Sequence, residues 1–367
     1  MKPRVLFVAR RVQLPLSASE RRRWDAVREQ LDFSVVASGS RDGDEFRLAP
    51  DPPVLAGPAY YALLPMRIAR ELQRMRPHAV VAQGLHETAA ALAARRLART
   101  DVAVIADVHG DYRAPTRLYG SRLRSLLNPV ADRIAERALR EADGVRTVTA
   151  YTTRLVRRLG VEPSDEFPAY MDFASFQVRP PVSLPQRPQA LFVGVLERYK
   201  NVDGLAEAWR IAAPRVPHAK LRLVGTGALQ DVVERLGRDL PAQAAWTPRL
   251  TQPEIAAALD ESTCLVLPSR SEGMGRVVVE GFCRGRGVIG ARVGGIADLV
   301  EDGVNGLLVE PGDTDGLAEA LVRVLSDRAL AERLGRGAHA SAEPWTISPE
   351  EFARRLRALV ERVARLS

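Results

Sequence analysis

Two glutamates flank a glycine-rich loop in Ser271-Glu272-Gly273-Met274-Gly275-Arg276-Val277-Val278-Val279-Glu280. Ahead of it, Cys264-Leu265-Val266-Leu267-Pro268-Ser269 has the apolar character of a buried strand ending in a turn, and Val278 through Arg284 reads as a helix. Strand, glycine loop and helix N-terminus in that order make an anion site. Unpaired backbone N–H groups and the positive end of the helix dipole converge on the loop. Glu280, about one turn into the helix, is placed to accept hydrogen bonds from hydroxyls beside the anion. An anion and a diol side by side describe a nucleotide sugar. Alone, a Gly-x-Gly after a strand is a weak signal, and a helical glutamate is usually solvated.

The pattern continues through Gly294-Gly295-Ile296-Ala297-Asp298-Leu299-Val300 and Asp302-Gly303-Val304-Asn305-Gly306-Leu307-Leu308-Val309. With these additions the segment resembles the C-terminal domain of the retaining GT-B glycosyltransferases of family four, the group 1 type. The mark of that family is a glutamate pair separated by seven residues, here Glu272 and Glu280. The resemblance is specific from Leu191 to Leu325, moderate from Val104 to Phe176 and weak before that.

The resemblance assigns roles residue by residue. Leu191 through Asn201 is similar to the family's glycine turn, with Gly194 followed by an arginine and, five positions later, a lysine; Lys200 matches and Val195 does not. A cation there stabilises the departing diphosphate, whose charge grows during transfer. Arg198 or Arg276 are candidates to replace the missing arginine, although cations on turns are most often solvated. Leu223-Val224-Gly225-Thr226-Gly227 lies near the donor in the family, where a plain tight turn is nearly as good a reading. Ala245 through Leu250 takes the place of a base-holding segment, with Pro248 where a glycine is usual and Arg249 and Leu250 as contacts. Glu272, Gly273, Met274 and Gly275 would hold sugar and pyrophosphate, and Glu280 the ribose. In the first half, His109 in Ile105-Ala106-Asp107-Val108-His109-Gly110-Asp111 matches the histidine that contacts the transferred sugar.

The acceptor side is less legible. His86, after Gln83-Gly84, follows a strand end and is a candidate for the acceptor pocket. The first strand-turn, Val8-Ala9-Arg10-Arg11-Val12-Gln13-Leu14, lacks the usual glycine pair, so Arg10 or Arg11 would present charge there. Arg21-Arg22-Arg23-Trp24 and Arg117–Leu127 are basic and partly amphipathic. They fit contact with an anionic membrane, but a solvated basic face is the commoner reading.

These residues need two scaffolds. At 367 residues with 46% hydrophobic content, two buried sheets are expected. Strands at Val5–Ala9, Ser34–Ala37, Ala79–Ala82, Val102–Asp107 and Gly144–Val148 alternate with helical patterns at Ser19–Gln30, Tyr61–Met75, Glu87–Arg99 and around Pro129–Ala142, with Ser19 capping the first. The proline-rich Val178–Pro188 reads as an extended linker. Beyond it strands recur at Ala190–Val195, Leu221–Val224, Cys264–Leu267, Gly287–Gly290 and Gly306–Val309, between helices near Val202–Ala213, Leu229–Leu236, Gln252–Leu259 and Thr314–Leu325. The expected fold is α/β, two Rossmann-like doubly wound domains facing a cleft. These are residues 1–177 for the acceptor and 189–345 for the donor, with an amphipathic helix in 346–367 crossing back.

Net charge of +8 and a pI near 10.0 favour anionic partners, and no recognised motif points to nucleic acid. The two cysteines, Cys264 and Cys283, sit in apolar segments and show no metal-ligand spacing. No secretory pattern is present, so a cytoplasmic setting is expected, with peripheral membrane contact left open. The reading is transfer of a sugar, with retention and without metal or cofactor, from a nucleoside diphosphate sugar to a hydroxyl of a glycan, lipid-linked saccharide or small metabolite. The alternatives are a sugar phosphorylase or epimerase using the same groups, and a non-catalytic nucleotide-sugar-binding partner.

Overall fold

A computed structural model describes residues 1–39, 43–49, 56–113, 128–177 and 180–366. The basic stretch Arg117–Leu127 and the start of the proline-rich segment lie outside the described residues. The chain divides into two compact units, Met1–Tyr170 with Ile347–Ser367, and Met171–Thr346.

The first unit contains β1 (Arg4–Arg11), α1 (Ala18–Gln30), β2 (Asp32–Ser38), β3 (Phe46–Ala49), α2 (Ala56–Met75), β4 (Ala79–Gln83), α3 (Leu85–Ala98), β5 (Ala103–Val108), α4 (Asn128–Glu141), β6 (Gly144–Thr147), α5 (Ala150–Arg157) and β7 (Asp165–Glu166). Its sheet is parallel throughout, in the order β3-β2-β1-β4-β5-β6-β7. Side chains alternate between the two faces along β1. Val5 and Phe7 join one core with Trp24, Phe33 and Phe46, while Leu6 and Val8 join another with Leu64 and Ile68. The strand order reverses between β1 and β4, the switch point at which doubly wound sheets open a crevice beyond their carboxyl ends.

The second unit contains β8 (Gln189–Val193), α6 (Val202–Ala212), β9 (Lys220–Val224), α7 (Gln230–Asp239), β10 (Ala244–Thr247), α8 (Gln252–Asp260), β11 (Cys264–Leu267), α9 (Arg276–Cys283), β12 (Gly287–Ala291), α10 (Ile296–Leu299), β13 (Gly306–Val309), α11 (Thr314–Ser326) and α12 (Arg328–Ala340). Its parallel sheet has the order β10-β9-β8-β11-β12-β13, with the switch point between β8 and β11. The final helix, α13 (Pro349–Val363), belongs to the first unit, where Phe352, Leu356, Leu359 and Val360 are buried.

Several boundaries differ from the sequence reading. The first unit ends at Tyr170 rather than at residue 177, because Phe173, Phe176 and Leu184 are buried in the second core. The proline-rich segment is not a free tether. The fully buried Arg286 guanidinium donates to the carbonyls of Val182 (2.7 Å) and Ser183 (3.3 Å), and to those of Leu259 and Asp260. Helix α1 is capped by Ser17, not Ser19, in a reciprocal capping box with Glu20. Among the described residues no helix is long and apolar enough to cross a membrane.

Candidate active site

Beyond Val193, β8 turns through Gly194 and the exposed Val195 into a short 3-10 turn, Arg198–Lys200. The Lys200 side chain, 12% exposed, forms an ion pair with Glu272, whose side chain is 17% exposed. The two loops are held side by side, since the Arg270 N–H donates to the Tyr199 carbonyl at 2.7 Å. Gly225 sits at φ +149°, and a Cβ there would stand 1.8 Å from the Gly194 carbonyl oxygen. Packing between the ends of β8 and β9 therefore requires this glycine whether or not a ligand binds.

Glu272 is supported from behind by the Gly294-Gly295 pair. A Cβ on Gly294 would lie 1.9 Å from the Glu272 carbonyl oxygen, and the Gly295 N–H donates to that oxygen at 3.1 Å. Gly275, at φ +75°, ends the loop and starts α9. Met274 packs against the core of the unit. The first-turn N–H groups of α9 are thus directed toward the loop.

Glu280 is buried, and its Oε1 accepts from Arg276 Nε at 2.8 Å. Burial pushes the Glu280 carboxyl above its usual range, and Arg276 offsets part of that rise. Arg276 also donates to the Asp172 carbonyl at 3.2 Å. Arg198 and Arg249 are exposed, and Leu250 packs against the core. The Trp246 indole donates to the Gly225 carbonyl at 2.9 Å, tying β10 to the glycine turn. Gly194, Lys200, Gly225, Glu272 and the Gly273–Gly275 loop thus converge on adjoining turns at the carboxyl ends of β8, β9 and β11. Cys264 and Cys283 are free and buried, and burial pushes both thiols up to about 12.

In the first unit, His109 follows β5, and its Nε2 lies 2.8 Å from Asp107 Oδ2. Asp107 Oδ1 accepts from Arg146 at 2.7 Å, and Arg146 also donates to the carbonyls of Phe167 and Pro168. Burial alone would push Asp107 up, but Arg146 and then His109 hold it down to about 2. These residues line a cavity of about 90 Å³ with Arg11, Arg23 and Tyr170. Arg10 instead donates to the Ser38 hydroxyl at 2.8 Å and lies over the Tyr60 ring, so it packs within the unit. His86 lies in the first turn of α3 beside Tyr61 and does not line the cavity. Trp24, read as part of a basic stretch that is either solvated or in contact with a membrane, is instead buried among Phe7, Phe33 and Phe46. Arg146 escaped the sequence reading, Asp107 entered it only within the segment around His109, and Arg23 only within the basic stretch Arg21-Arg22-Arg23-Trp24. The period-2 spacing of Asp107 and His109, which places both on one side of the strand end, was the available signal.

Comparisons with known proteins fall on the same two units. The family model described as glycosyl transferases group 1 matches residues 176–340, and the glycosyl transferase 4-like domain matches residues 7–167. A D-inositol 3-phosphate glycosyltransferase of Catenulispora acidiphila is 31% identical over 249 residues, 63% of this chain and 58% of that protein. Sulfoquinovosyl transferase of Arabidopsis thaliana is 30% identical over 44% of this chain and 31% of its own length. The chain therefore spans between a third and three fifths of the length of these relatives. Among solved structures, sucrose-phosphate synthase of Thermosynechococcus elongatus superposes over 100% of both chains with a TM-score of 0.79 at 18% identity. Anabaena HepE in complex with UDP-glucose does so over 97% of this chain and 99% of its own, with a TM-score of 0.70 at 17% identity. With both units matched in sequence and the whole chain matched in fold, this protein belongs to the group 1 glycosyltransferases and has the α/β GT-B fold.

Proposed function

We propose that the chain transfers a glycosyl group from a nucleoside diphosphate sugar to a hydroxyl acceptor, with retention at the anomeric carbon and without a metal. The Lys200–Glu272 ion pair, set against the Gly273–Gly275 loop and the start of α9, carries this reading. Lys200 meets the charge that grows on the leaving diphosphate, and the α9 amides hold the pyrophosphate. Glu272 holds the sugar and Glu280 the ribose hydroxyls. His109, oriented by Asp107, contacts the transferred sugar. The bond from the anomeric carbon to the diphosphate oxygen breaks as the acceptor oxygen bonds to the same face, and the acceptor proton passes to the leaving phosphate. Similarity to a HepE structure in complex with UDP-glucose supports a nucleotide-sugar donor.

Donor consumption across UDP-, GDP-, ADP- and dTDP-sugars, with and without chelator, tests the proposal. One donor bound and slowly converted to its nucleoside diphosphate in chelator is the expected result; loss of all turnover in chelator would remove the metal-free mechanism. Glu272→Ala should abolish transfer with an unchanged circular dichroism spectrum, and near-normal turnover would overturn its assignment. The exposed, apolar Val195, 45% accessible where the family carries arginine, favours a second reading: a non-catalytic nucleotide-sugar-binding partner. Tight donor binding with no consumption by any acceptor would select it.

A further inference from the structure

Arg23 is partly buried, and one of its guanidinium nitrogens lacks a partner. It projects from α1 into the first unit's cavity, its plane centre 4.7 Å from the buried Trp24 ring. Its Nε is shielded from water and has no hydrogen-bond partner, and the same is true of Arg146 Nε. Of the nearby carboxylates, Asp107 is engaged through both oxygens and Glu20 through one. Asp107 gives one oxygen to Arg146 and the other to His109, while Glu20 accepts from the Ser17 amide and hydroxyl in the α1 capping box. Arg11, Arg23 and Arg146 line the cavity against only Asp107 and Glu20, so it carries one guanidinium in excess. Its apolar walls include Phe7, Val12, Trp24 and Phe352, and such walls strengthen any charge-assisted bond made inside. At about 90 Å³ the space suits roughly half a dozen water-sized groups, or one small oxyanion.

We propose that this cavity binds an oxyanion, a phosphate, sulfate or carboxylate group, on Arg23, beside the Arg146–Asp107–His109 cluster. The site stands on its own geometry. Naming its ligand as the charged end of the sugar acceptor rests on the glycosyl transfer proposed above. The excess cation selects a charged acceptor over a neutral one, and the small volume admits the headgroup rather than a second sugar.

Inorganic phosphate titrated by calorimetry into the full chain, and into Arg23→Gln and Lys200→Ala, tests the site. Arg23→Gln should weaken one phosphate site about 10- to 100-fold, and Lys200→Ala should leave that Arg23-dependent site intact while losing only phosphate held at the diphosphate turn. No saturable heat in the wild type, or a loss confined to Lys200→Ala, would overturn the proposal. Having shed a partly buried cation whose Nε has no partner, Arg23→Gln should also melt at or above the wild type in phosphate-free buffer. Phosphate should then raise the wild-type midpoint more than that of the variant. A variant that melts lower, or fails to fold, would mean that Arg23 already has its partner. Vesicles with and without phosphatidic acid separate the sources. Arg23-dependent sedimentation assigns the oxyanion to a lipid headgroup, and phosphate binding without it assigns a soluble acceptor. Nucleoside diphosphate binding is read on the same samples. Its absence beside an Arg23-dependent phosphate response would sink the transferase reading alone; its presence without that response would sink the anion site alone.

Discussion

Asp107 is the residue on which the first unit's polar cluster turns. It is almost fully buried, and both oxygens are in use, one by Arg146 and one by His109. Its folded value, about 2, lies below the ordinary 3.8. The unfolded chain therefore binds more protons between those values, and stability rises with pH through that window. The Asp107 contribution is present above the ordinary value and lost as the pH falls toward about 2. Asp107→Asn removes the charge that pairs with a fully buried guanidinium, a change worth about 3–5 kcal/mol when a buried pair is broken. Thermal melts at neutral pH should show a clear drop for this variant, and the difference from the wild type should shrink as the pH is lowered toward 2. A difference that stays constant across that range would mean that Asp107 is not held ionised by Arg146. Only the period-2 spacing of Asp107 and His109 hinted at this in the sequence, where arginines in a basic chain look like ordinary surface residues. Lys200 and Glu272 were legible because a long ordered pattern surrounds them.

The turns between strands and helices position these groups, and here sequence and structure agree unevenly. Long apolar runs such as Val5–Ala9 and Cys264–Leu267 announce their strands, since a strand buried on both faces needs no polar alternation. The strands β3, β7 and β10 went unread. The first pairs only four residues, Asp165–Glu166 is polar and two residues long, and Ala244–Thr247 is short, opens on two alanines and stops at a proline. Helix α12, Arg328–Ala340, also went unread, because its glycines and arginines dilute the apolar stripe of Leu330, Ala331, Leu334 and Ala338. The glycine turns, by contrast, were read as ligand-approach sites, and the structure gives them a packing role as well. Gly294→Ala tests that role. The added methyl would meet the Glu272 carbonyl at 1.9 Å, at a backbone φ of +49°. The clash is with backbone, so the Glu272 loop must move, at about 1–3 kcal/mol. The expected result is a modestly lowered melting midpoint, with donor affinity falling far more than stability. Unchanged donor affinity would show that the loop tolerates the shift and that its geometry is not what binds.

Each unit has its own sheet and core, but the first is built from both ends of the sequence. That division was visible from hydrophobic spacing, because the stripe Phe352, Leu356, Leu359, Val360 and Val363 has no partner within its own helix. Its location came from the family resemblance, which implies a final helix crossing back to the first domain; spacing alone does not say which core a stripe will join. In the structure Phe352 meets Phe167 edge-on at 6.0 Å and lies under Arg146, and a Cβ on Gly144 would come within 2.6 Å of Val363. Burying four such side chains contributes roughly 1.5–3 kcal/mol each, a total comparable to the ~5–15 kcal/mol that holds a domain folded. Ending the chain at Thr346 should therefore unfold the first unit and spare the second, whose core contains none of α13. Limited proteolysis of the shortened protein should cut within residues 1–170 and leave a resistant fragment beginning near Met171, while the full chain resists throughout. Equal resistance of residues 1–170 in both proteins would show that the first unit's other helices close its core without α13, and that the carboxyl-terminal helix is an ornament to that fold rather than part of it.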